Sequence, residues 1–307
     1  MTIRTTMIGT MVKPLGTMRA VALSALVAVG GLVGVTSAQA AGGDLHYPLY
    51  KPIEVEWTFS GLFGHYDKQQ LQRGFQVYRE ICASCHSMNY VAFRNLSDLG
   101  YSEDQIRTLA AEYEITDPEP NDEGEIFTRA GLPKDYFPSP WANPQEGAYL
   151  NNGAYPPDFS TLAKARAVER GFPTFITDIF TGYAESGPDY IYSLMLGYTI
   201  PKEQVEQDYP ELADVEIADT AYFNPYFIAG PALAMPQQLY GDSVTYADGT
   251  EATIEQQAAD ISAFMMWASE PTLTQRKQLG FVALIFLLVF GVLMYFVKQR
   301  VWADEAH

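Results

Sequence analysis

The chain has two cysteines, Cys82 and Cys85, two residues apart and followed at once by His86. Thiols at that spacing can add to the two vinyl groups of a single haem, and the adjacent imidazole then faces the iron as proximal ligand. Two other chemistries use paired cysteines. A zinc site needs a second pair or suitably spaced histidines, and His46, His65 and His307 are scattered. A thioredoxin-like redox pair follows a strand–helix framework, and none precedes Cys82. One covalently attached haem c is therefore the reading, and no cysteine remains for a disulfide framework.

A six-coordinate iron needs another axial ligand. The candidates beyond the leader are Met88, Met195, Met235, Met265, Met266 and Met294, with His46 and His65. Met88 is too close to His86 in sequence to reach the opposite haem face readily. Met294 falls in an apolar span, Met265 and Met266 in the last helix before it, and Met195 in a short helix where core packing is the plainer role. Met235 lies in the irregular apolar stretch Gly230-Pro231-Ala232-Leu233-Ala234-Met235-Pro236, which can present a thioether to iron, and is favoured; a histidine is the alternative. His/Met ligation raises the potential and fills both axial positions, which argues for electron transfer over oxygen or peroxide chemistry.

The elements that must position this site follow from caps and periodicity. Asp67, with Gln70 three residues on, opens a predicted helix that lines up Leu71, Phe75, Tyr78 and Cys82 on one face. Gly74 weakens that helix unless another backbone packs against it. A second helix starts at Thr253, with Gln256 completing a capping box, and stops before Pro271. A shorter one is expected over Pro188–Leu196 with Gly197 as its C-cap. Residues 116–152 and 200–224, rich in Pro, Gly, Asn and acids, read as long surface excursions. Strands are expected to be minor.

Two apolar segments set the topology. Arg4, Lys13 and Arg19 precede an apolar run to Val35 and Ala38-Gln39-Ala40, which reads as a signal peptide over residues 1–40. The stretch Leu279–Val297 has 19 uncharged residues between basic flanks, and as a helix it covers roughly 28 Å, the thickness of a hydrocarbon core. The expected organisation is a periplasmic cytochrome domain over 41–275, a transmembrane anchor over 276–298 and a cytoplasmic tail over 299–307. Net charge is −18, and losing the three basic leader residues takes it to −21. Such a surface repels nucleic acid and favours basic protein partners.

With these residues in view, the chain resembles the cytochrome c1 family, the haem subunits of ubiquinol:cytochrome c oxidoreductase. The resemblance is carried by Arg73-Gly74-Phe75-Gln76-Val77-Tyr78 before the haem motif and Ser87-Met88-Asn89-Tyr90-Val91-Ala92 after it. Further blocks are Asp135-Tyr136-Phe137-Pro138, Asn151-Asn152-Gly153-Ala154, Pro156-Pro157-Asp158, Lys164-Ala165-Arg166 and Tyr222-Phe223-Asn224-Pro225-Tyr226-Phe227. Tyr246-Ala247-Asp248-Gly249-Thr250, Trp267-Ala268-Ser269-Glu270-Pro271 and Gln275-Arg276-Lys277 complete it. It implies His86 and Met235 as axial ligands, Arg166 near a haem propionate with Tyr190 close by, and a backbone carbonyl of Pro156-Pro157 accepting the His86 ring N–H. Some bacterial relatives carry an extra disulfide near the haem loop, for which this chain has no cysteines.

The implied fold is mainly α, a class I-like c-type cytochrome domain with long loop insertions plus one C-terminal transmembrane helix. The implied function is a fixed electron relay in the bacterial inner membrane, haem domain periplasmic, rather than a stand-alone catalyst. Its expected partners are a cytochrome b, a Rieske iron-sulfur protein that supplies electrons, and a soluble basic cytochrome c that receives them, in a dimeric complex. A freestanding membrane-tethered shuttle is the competing class, and a haem enzyme with an open iron position the third.

Overall fold

The computed structural model describes residues 45–167 and 186–303, so the expected leader over 1–40 lies outside the described residues. Helix α1, Lys68–Glu80, starts where the sequence predicts, with the Asp67 carboxylate accepting from Gln69 N at 2.9 Å. It buries Leu71, Gly74, Phe75, Val77 and Tyr78. The α-helix ends before the cysteines, and Cys82–Ser84 form a 3-10 turn. That tightening lets two amides share one acceptor: Cys85 N and His86 N both donate to Cys82 O, at 3.1 and 2.9 Å.

Helix α2, Glu103–Ala110, carries a Ser102–Gln105 capping box. Strands β1, Glu114–Thr116, and β2, Thr128–Ala130, pair antiparallel. Helices α3, Pro144–Leu150, and α4, Leu162–Ala165, follow. Helix α5, Ser186–Leu196, ends at Leu196 as predicted and starts two residues earlier, and Gly197 begins a 3-10 turn over Gly197–Thr199. Helix α6, Lys202–Asp208, precedes the two-residue strands β3, Tyr222–Phe223, and β4, Ala232–Leu233. Helix α7, Ile254–Ser269, leads into α8, Leu273–Val301.

The core forms where α1 crosses α7. A Cβ on Gly74 would lie 2.1 Å from Asp260 O, so the glycine exists to let the two backbones meet. Around the crossing Phe75, Tyr78, Phe137 and Phe264 pack ring to ring with centroids 5.7–6.1 Å apart. Each such pair contributes about 0.5–1.5 kcal/mol beyond its buried area. A charged clasp borders them: Arg73 Nε and Nη2 donate to the fully buried Asp260 at 2.9 and 3.2 Å, and Nη1 reaches Asp248 at 2.9 Å. Thr253 caps α7 as predicted, but Gln256 turns its amide to Asp260 at 2.9 Å instead of closing the capping box.

The two excursions are more ordered than their composition suggests. α3 and the β1–β2 hairpin occupy the first, while in the second Val205 and Leu212 bury against Leu49. At the C-terminus, α8 begins three residues ahead of Arg276 and continues past Lys298 to Val301. Among the described residues it is the one helix long and apolar enough to cross a membrane. Only Glu270, Pro271 and Thr272 separate it from α7.

Candidate haem site

His86 is delivered by the 3-10 turn and is 8% exposed. Its Nδ1 lies 2.8 Å from Pro157 O. A carbonyl only accepts, so Nδ1 carries the proton and Nε2 keeps the lone pair that a metal needs. The ring packs on Phe159 with centroids 4.3 Å apart, which fixes its plane. Burial holds the imidazolium down, with the Pro157 carbonyl and Asp158 acting the other way. The ring is thus neutral, as a ligand must be.

Asp158 fastens the Pro157 segment to the haem turn. One carboxylate oxygen accepts from Ser87 Oγ and from Asn89 N, both at 2.8 Å, and the other from Ser160 N at 2.7 Å. Phe159 N donates to Ser87 O at 2.8 Å and Tyr90 N to Ser160 Oγ at 3.0 Å. From the other side Trp141 Nε1 donates to Cys85 O at 2.8 Å, and Tyr78 Oη to His86 O at 3.2 Å. The motif's carbonyls are therefore held by side chains from α1 and from the segment before α3. Burial, with Cys85 as a lesser cause, pushes the Cys82 thiol up to about 12. A thioredoxin-like nucleophile requires the opposite shift, so the environment disfavours that alternative.

The remaining predicted residues lie on other elements. Arg166 caps the C-terminus of α4, its N–H donating to Leu162 O at 3.0 Å. α4 meets α5 closely, since a Cβ on Gly187 would fall 1.6 Å from Ala163 O. That approach brings Arg166 into electrostatic reach of Tyr190, whose phenol burial raises and which a backbone bond from Ile228 and the Arg166 charge lower. Met235 follows β4, half-buried, and Tyr198 Oη donates to its carbonyl at 2.7 Å. Of the rival ligands, Met88, Met265 and Met266 are buried in the core and His46 and His65 are exposed.

The sequence profile of the Cytochrome C1 family matches residues 57–305. The chain belongs to the cytochrome c1 family. Cytochrome c1 of Rhodospirillum rubrum is 43% identical over 292 residues, covering 92% of this chain and 97% of that one. Cytochrome c1 of Blastochloris viridis is 40% identical over 284 residues, covering 91% and 95%. A Cytochrome b/c1 protein of Bradyrhizobium diazoefficiens is 47% identical over 258 residues, covering 83% of this chain and 36% of that longer protein.

As a cytochrome c1 the chain carries one covalently bound c-type haem, and the residues fit it. Two thiols and a neutral imidazole with an available Nε2 project from one turn, and Met235 offers a thioether from an irregular loop as the family resemblance implies. The turn's protein anchors, Asp158 and Trp141, escaped sequence reasoning. Asp158 stood beside the predicted Pro156-Pro157 carbonyl, but nothing in spacing announced a bond to a serine 71 residues away.

Proposed function

We propose that this cytochrome c1 is the electron-relay subunit of a quinol:cytochrome c oxidoreductase. The observation that carries the reading is the His86 ring, buried, neutral and oriented by Pro157 O on the turn that bears both cysteines. The bound haem supplies a one-electron couple. His86 and Met235 would ligate its iron and Cys82 and Cys85 would hold it covalently, a donor set suited to electron transfer rather than substrate binding. Arg166, whose charge reaches Tyr190, would offset the charge of a haem propionate. Tyr198 steadies the Met235 loop through the carbonyl bond.

Electrons enter from a Rieske iron-sulfur protein and leave to a soluble basic cytochrome c. The chain sits beside a cytochrome b in a dimeric complex, single-pass in the bacterial inner membrane, with its haem domain periplasmic and its C-terminus cytoplasmic. The fixed relay is favoured over a tethered shuttle by the three-residue break between α7 and α8 and by Glu270, which pairs with both Lys164 and Arg276 across it. A shuttle needs a long free linker at this point.

The test is purification of the tagged full chain from mild detergent. A stoichiometric b-type cytochrome and an iron-sulfur subunit are expected with it. Recovery of the haem protein alone at every detergent strength would overturn the relay and favour the shuttle.

A further inference from the structure

The segment between Val55 and α1 closes into a tight loop whose tip exposes two apolar residues, Leu62 and Phe63. Ser60 N donates to Trp57 O at 3.0 Å and His65 N to Thr58 O at 3.0 Å, so the two sides of the loop are joined. Trp57 and Phe59 are buried and stack at 5.4 Å, holding the base of the loop in the core. The tip residues go the other way. Leu62 is 49% exposed and Phe63 73%.

The loop is fastened to the membrane helix. Lys277 Nζ donates to Phe59 O, and the Phe63 ring packs edge-on against Phe281 with centroids 5.1 Å apart. Tyr66 Oη donates to Glu270 O at 3.0 Å, tying the far side of the loop to the α7–α8 break. Phe281 lies inside the uncharged run that starts at Leu279, four residues beyond Lys277. Four residues of helix amount to about 6 Å. If Lys277 marks the headgroup level, as basic flanks do, Phe63 lies within the roughly 5–10 Å to which interfacial elements bury apolar side chains.

We infer that the Trp57–Tyr66 loop is a second, monotopic membrane contact, in which Leu62 and Phe63 enter the lipid of the same leaflet as the start of α8. Lipid is the occupant because the tip is continuous with the anchor's own apolar surface and offers no side-chain hydrogen bond to a partner. The single helix fixes position but leaves rotation and tilt free. A wedge beside the helix, clasped by Lys277, fixes the orientation of the haem domain above the bilayer.

The experiment uses the full chain in its purified complex, reconstituted into phosphatidylcholine–phosphatidylglycerol vesicles. Cys82 and Cys85 are consumed by haem attachment, so Leu62→Cys supplies this chain's one free thiol for a nitroxide label, and the unsubstituted complex labelled in parallel gives the background of the other subunits. Phe63→Cys carries the same label if Leu62→Cys does not accumulate. Tyr149→Cys, at a residue 84% exposed on α3, is the aqueous reference, and Leu284→Cys on α8 the lipid reference. The label at position 62 is expected to relax more with oxygen than with a water-soluble nickel chelate, grouping with position 284 and reversing at 149. A nickel response at position 62 equal to that at 149 would overturn the proposal. Exclusion of both reagents at position 62 would overturn it too, since a protein partner would then cover the tip.

Discussion

Replacing Arg73 by methionine tests how the helix that ends at the haem motif is fixed. Asp260 is fully buried, and Arg73, itself 16% exposed, gives it two hydrogen bonds. Methionine keeps much of the aliphatic stem and removes the counter-charge. Breaking a buried pair in this way costs about 3–5 kcal/mol. Because water reaches the arginine side, the low end, about 3 kcal/mol, is expected. Burial already raises the Asp260 carboxyl, opposed by Arg73 and Gln256. Without Arg73 it rises further, and the sign of the pH effect follows. An acid whose folded value exceeds its unfolded one takes up a proton on folding, so its penalty is absent below the unfolded value, grows as pH rises from there to the folded one, and is full above it. The deficit should therefore shrink as the pH is lowered from neutrality toward the ordinary carboxylate range. Asp260→Asn in the same background should recover part of it near neutrality. Urea unfolding of the detergent-solubilised chain, followed by tryptophan fluorescence that haem quenches in the folded state, measures each case. A loss below about 0.5 kcal/mol, or one independent of pH over this range, would refute the reasoning.

Gly74→Ala gains about 1 kcal/mol of helix propensity yet places a methyl against Asp260 O; net destabilisation of about 1–3 kcal/mol is expected in the same urea assay. Met235→His should keep covalent haem while lowering the midpoint potential strongly, since thioether ligation favours the ferrous iron; potentiometric titration checks it, and an unchanged midpoint would move the ligand to Met195. Neutralising Glu119, Asp122, Glu123 and Glu125, all exposed, together with the second acidic run, Glu203, Glu206, Asp208, Glu211, Asp214, Glu216 and Asp219, should flatten the salt dependence of electron transfer to a basic cytochrome c. Such charges act over roughly 8–10 Å at ordinary ionic strength. Asp117 is left out of the set, because Arg129 holds it at 2.5 Å and lowers its carboxyl.

The legible parts of this protein are those that local chemistry writes into short stretches. Cys82 to His86 states covalent haem outright, Asp67 and Thr253 state where two helices begin, and nineteen uncharged residues state the anchor. Gly74 was legible as a close approach, though its partner, Asp260, was not, since it comes 186 positions later. The short elements inside the excursions were not foreseen because acids and prolines suggested loops throughout, while Asn143 before Pro144 is a cap signal for α3, and its side chain does accept from Glu146 N at 2.9 Å. The anchors of the haem turn were out of reach for a different reason. Asp158 and Trp141 act through bonds across 56–71 residues, which no periodicity records.

Quinol-driven electron flow through the intact complex tests the relay most directly. Reduced quinol is mixed rapidly with the complex purified through this chain, and the haem c absorbance is followed before and after adding a soluble basic cytochrome c. The account expects haem c to become reduced, then reoxidised as the soluble cytochrome is reduced, with both steps lost in Met235→Lys although covalent haem remains. Electrons that reach the soluble cytochrome at an unchanged rate in Met235→Lys would contradict it.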